Sequence, residues 1–116
     1  KDFFFDWEET EWNHRIIKRG YKIAYNPKML AWHRKHGSTS GSRYTSIPEK
    51  YHWRGKLLFY YKTRDSTANF EYFFLSLIFL EVPIHWIVLI VNGHTNLIWS
   101  NFCGIYEGLK LIIRQK

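Results

Sequence analysis

The sequence predicts an α+β fold, with short strands near residues 21–33 and about four helices. Three observations predict it. Two helix-start signals lie at Asp6 and Ser46, a short alternating run begins at Tyr21, and an apolar stripe at helical spacing begins near Leu97. Aromatic residues make up 20% of the 116 residues, which excludes a disordered tail and calls for burial in a core or an interface.

Asp6 followed by Glu9 has the form of a capping box, with Asp6 at the N-cap. A helix from about Trp7 to Arg19 follows, with Glu11 and Arg15 four apart and Gly20 as its stop. Tyr21, Ile23 and Tyr25 alternate with polar or small residues, and Asn26-Pro27 signals a turn. Met29 to His33 reads as a second extended stretch, in which Trp32 packs inward and His33 points the opposite way. The glycine- and serine-rich run from Gly37 to Ser42 is a loop by composition.

Ser46 with Glu49 three residues on starts a helix that runs to about Arg64. Tyr72 to Val91 is nearly all apolar and twenty residues long, the length of a membrane span. Glu81, Pro83 and His85 interrupt it, so an interfacial or protein-buried helix is expected ahead of a true span, with Trp86 and Trp99 as interface anchors. These apolar helices equally suit packing on another part of the protein or on a second copy. In the last helix Ile98, Phe102, Ile105, Leu109 and Ile112 form one stripe, and Gly104-x-x-x-Gly108 permits close helix contact.

The net charge is +7, and between Trp12 and Arg64 thirteen basic residues accompany a single acid, Glu49. Such a field favours anionic partners such as diphosphates or acidic head groups; a solvated basic surface is the plainer alternative. No nucleic-acid motif accompanies the charge, and nucleic acid is not an expected partner. The single cysteine, Cys103, excludes an internal disulfide and a multi-thiolate metal centre.

Glu8, Glu9 and Glu11 place three carboxylates within four positions at a helix start, followed by Trp12, Arg15, Gly20-Tyr21, Pro27 and Trp32-His33. In order and spacing this resembles the acceptor-side motif of family 2 glycosyltransferases, the inverting GT-A type, in its rhamnosyltransferase- and galactofuranosyltransferase-like forms. The likeness covers residues 3 to about 41. It continues more loosely through Tyr60-Tyr61-x-x-Arg64 and Gly104-x-x-x-Gly108-Leu109-Lys110.

The resemblance implies a C-terminal fragment of such an enzyme: residues 1–45 an acceptor-side catalytic segment, residues 46–116 a helical, membrane-associated region. It implies transfer of a hexose or deoxyhexose from a nucleotide sugar to a polysaccharide or lipid-linked acceptor, at the cytoplasmic side of the cell membrane. Glu9 stands where the family has its general base, usually an aspartate. Glu8, Glu11 and Trp12 would bind the acceptor, and His33 would ligate a divalent metal, Mg²⁺ or Mn²⁺. The family's Asp-x-Asp motif does not occur in these residues. The fragment alone is therefore expected to be inactive and to hold metal weakly or not at all. As for other partners, a peripheral membrane surface and a homo-oligomer are expected. The alternative function is a non-catalytic basic helical module that binds an acidic membrane surface. Acids in a first helical turn also have a purely structural use, since they suit the helix dipole.

Overall fold

The computed structural model describes residues 3, 6–30 and 45–115. Among the described residues it is helical throughout: α1 Glu8–Lys18, α2 Ser46–Thr63, α3 Thr67–Ser76, a π-helical turn Leu77–Glu81, α4 Val82–Val91 and α5 Leu97–Arg114. From α3 through the π turn to α4 the helix is continuous, a 25-residue rod from Thr67 to Val91. The expected α+β class is therefore corrected: no strand occurs among the described residues. Tyr21, Ile23, Tyr25, Met29 and Leu30 all stand exposed, and a lone alternating segment without a ladder partner is not a sheet. The remainder of the expected second strand, with Trp32 and His33, lies outside the described residues. The turn at Asn26-Pro27 does form, with Lys28 N–H donating to Asn26 Oδ1 at 3.0 Å and Met29 N–H to Asn26 O at 3.2 Å.

Both helix ends that carry glycine close in the same way. Gly20 has φ +85°; its N–H donates to Ile17 O at 2.9 Å and Tyr21 N–H to Ile16 O at 3.3 Å. Gly93, at φ +75°, repeats the pattern with Ile90 and Leu89. This is the paired Schellman closure, and it needs a residue without a Cβ penalty in the left-handed region.

Helix α2 is the spine. Along it Tyr61 meets Phe70, Tyr60 stacks on Phe73 at 3.8 Å, Lys56 pairs with Glu81, and Glu49 pairs with His85, so the rod runs antiparallel to α2. Gly104 lies against Lys50, and Gly108 against Leu57 and Arg54, so α5 runs parallel to α2. Trp53, Leu57 and Leu58 of α2 join Leu77, Val82, Ile105 and Ile112 in one core. A Cβ on Gly104 would sit 2.2 Å from Lys50 O, so α5 and α2 meet backbone to backbone there. That approach also turns α5. Its buried side is Leu97, Asn101, Gly104, Ile105, Gly108 and Ile112, while Phe102 of the expected stripe is half exposed.

Pro83 does not interrupt the rod as expected. An α-helical proline at this position would drive its ring into the carbonyl four residues back and leave a hydrogen bond unmade. The π turn immediately before it widens the helix there, and Pro83 falls in the first turn of α4.

Candidate functional site

The acidic start of α1 is held by contacts from far along the chain. Asp6 Oδ2 lies 2.7 Å from His52 Nδ1, and Asp6 Oδ1 accepts the N–H of Trp7 at 3.0 Å. The hydrogen bond with His52 is the main cause holding the Asp6 carboxyl below its ordinary pKa; partial burial opposes it, and the His52 charge and the Trp7 N–H assist. The expected capping box is thus not made. Trp7, not Asp6, is the N-cap residue, at φ +71°, and no side chain caps the helix. A left-handed conformation in a bulky residue costs on the order of 1–2 kcal/mol. It persists here because the Trp7 ring is docked. Its centroid lies 5.3 Å from Phe59 and 5.7 Å from His52, and its Cδ1 lies where a Cβ on Gly55 would come within 2.8 Å. His14, two helical turns further on, packs its ring edge-on against Phe59.

With Asp6 and Trp7 fixed, the next residues project outward. Glu8 and Glu9 are exposed, Trp12 is 56% exposed, and Glu11 is half buried and bonded to Arg15 at 3.1 Å, the pair expected from their spacing. The arrangement offers two solvated carboxylates and an indole face on one fixed helix start. His33 lies outside the described residues. Among the described residues no three His, Cys, Asp or Glu side chains converge as cation ligands, so these residues do not by themselves make the implied metal site.

A second polar cluster, between α2 and the rod, escaped the sequence reading. Glu49 accepts from Trp53 Nε1 at 3.2 Å and meets His85 Nε2 at 2.5 Å; Lys56 bonds Glu81. Glu49, like Asp6, therefore serves a partner distant in the chain instead of its own helix start, and the cap position falls to Thr45 without a side-chain bond. A groove of about 350 Å³ lined by His52, Trp53, Lys56, Glu81, Ile84, His85 and Val88 opens over this cluster. The available signal was Glu81 and His85 themselves: two polar residues four apart in an apolar helix share a face and need partners there.

The looser parts of the family likeness have structural uses. Arg64 lies over the Tyr61 ring at 3.6 Å and bonds its carbonyl, which closes the end of α2. Gly104 and Gly108 seat α5 on α2, where Lys50 Nζ meets Glu107 Oε1 at 2.6 Å and its pKa is raised by that bond. The chain matches no family model, no curated protein and no solved structure.

Proposed function

We propose that this chain supplies the acceptor side of an inverting glycosyltransferase that uses a nucleotide sugar and a glycan or lipid-linked acceptor on the cytoplasmic side of the membrane. The observation that carries the reading is the docked Asp6–Trp7 pair with Glu8 and Glu9 exposed immediately after it. A general base must be open to substrate yet held rigidly, and displacement by about 1 Å can cost orders of magnitude in rate.

In this reading the Glu9 carboxylate takes the proton of the acceptor hydroxyl as its oxygen attacks the anomeric carbon. The bond to the nucleotide diphosphate breaks on the opposite face, so the configuration inverts. Trp12 offers a flat apolar face to a sugar ring, and Glu8 accepts hydrogen bonds from acceptor hydroxyls. Arg15 holds Glu11 in place beside them. From this chain a divalent cation would draw the imidazole of His33 and take its remaining ligands from outside the described residues; its chemistry would be to neutralise the leaving diphosphate.

Glu9→Gln in the full-length transferase tests the assignment. Transfer should fall about 10²- to 10⁴-fold with nucleotide-sugar binding retained. No side chain caps α1, so the substitution removes no cap and the helix should be unchanged. Near-normal transfer by Glu9→Gln would remove the base role. Under the same reading the 116 residues alone turn over no nucleotide sugar.

A further inference from the structure

We propose that the outer face of the Thr67–Val91 rod, together with the exposed stripe of α5, is a membrane-embedding surface that lies in the plane of an acidic bilayer. The inference stands on helix geometry and does not depend on the transferase reading.

The rod is long and apolar enough to cross a membrane, yet only 17% of its most apolar stretch is buried in the protein. Its two interrupting polar residues are turned inward, where Glu81 meets Lys56 and His85 meets Glu49. Beyond Glu71, which stands exposed in the rod's first turns, the outward face is apolar: Phe79, Ile84, Ile87 and Ile90 are each more than half exposed. Trp86 of α4 packs against Phe102 of α5 at 4.7 Å, which joins this face to the half-exposed Phe102 and to Trp99, exposed to 73%. An apolar helix face edged by tryptophan suits the boundary between head groups and acyl chains.

The register of α2 decides between spanning and lying flat. About 37 Å of helix would cross the hydrocarbon at 1.5 Å per residue. But α2 runs alongside from Phe73 to His85, carrying Lys56 level with Glu81, Lys50 near the level of His85 and Arg54 between them. Spanning would draw those cations into the hydrocarbon, each lowering insertion roughly a hundredfold. Lying flat immerses the rod and α5 and leaves α2 above them. Helix α1 contacts α2 through His52, Gly55 and Phe59, the flank opposite Lys50, Arg54 and Leu57 where α5 sits. Glu8 and Glu9 are thereby kept on the aqueous side.

Charge selects the bilayer over a second copy. The chain carries +7, and Lys110 and Arg114 are exposed on α5 beside its apolar stripe. Two such surfaces repel, whereas anionic lipid attracts each basic residue near it.

The test is flotation of the whole chain with phosphatidylcholine vesicles and with phosphatidylcholine–phosphatidylglycerol vesicles. Binding should favour the acidic vesicles and weaken with salt. The double variant Ile84→Glu/Ile87→Glu should lower partitioning about a hundredfold, with helical circular dichroism unchanged because both sites are solvent-exposed. In a Cys103→Ser background, spin labels at Tyr72→Cys, Ile84→Cys and Val91→Cys should report similar shallow depths. Depth peaking at position 84 and vanishing at both ends means spanning and overturns the proposal. So does failure to float, including the case in which sedimentation without lipid finds a dimer that the double variant dissociates.

Discussion

Gly104→Ala isolates the contact on which the bundle rests. The added Cβ would lie 2.2 Å from Lys50 O, 3.0 Å from its carbonyl carbon and 3.2 Å from its Cα, all backbone atoms of another helix. No side chain can swing aside, so α5 must retreat from α2 by roughly 1 Å, and dispersion contacts along the seam weaken steeply over such a gap. Overpacking of this kind costs about 1–3 kcal/mol or more, here at the upper end, while alanine regains about 1 kcal/mol of helix propensity. The net expectation is a loss of about 2 kcal/mol, or roughly 8 °C in Tm for a chain of this size. Gly108→Ala is the internal control. Its Cβ would meet Leu57 Cδ1 at 3.0 Å and Leu57 Cβ at 3.2 Å, with Arg54 O at 3.4 Å, so a leucine rotamer and a give of a few tenths of an ångström accommodate it and the change is within about 1 kcal/mol. Thermal and urea unfolding followed by helical circular dichroism measures both. Gly104→Ala equal to or more stable than Gly108→Ala would refute the backbone-to-backbone seating of α5 on α2.

Gly55→Ala should undock the start of α1, because its Cβ meets Trp7 Cδ1 at 2.8 Å and Asp6 O at 3.0 Å; hydrogen exchange should accelerate in residues 8–18 while α5 stays protected, and unchanged exchange in α1 would count against the docking. The Asp6–His52 bond makes that docking acid-sensitive. Since the Asp6 pKa is lowered on folding from 3.8, its contribution is complete above that value and is lost as pH falls through the folded one; Asp6→Asn should flatten this dependence in the exchange of α1, and an equally acid-labile Asp6→Asn protein would place the effect elsewhere.

Local chemistry was legible in the sequence wherever a residue's partner lies within a helical turn. The Glu11–Arg15 pair, the closure at Gly20, the extents of α1 and α2 and the turn at Asn26-Pro27 all depend on neighbours up to five residues away, and spacing alone locates those. The exposed acidic start of α1 was legible as a motif, but not the means by which it is held. Its anchor joins Asp6 to His52, 46 residues on, and the polar cluster beneath the rod joins Glu49 to His85 across 36.

The sequence by itself determined the extents of α1 and α2 and which segments are apolar, because backbone hydrogen bonding and side-chain periodicity act over one or two turns. Tertiary structure alone decided the rest. Asp6 and Glu49 each had a local cap to make and made a distant bond to histidine instead. Tyr21, Ile23 and Tyr25 had strand alternation and no neighbouring strand among the described residues. Pro83 was carried through a continuous helix by the π turn before it. For Asp6 and Glu49 two hydrogen-bonded outcomes lay within a kcal/mol or two, and the histidine brought up by folding chose between them.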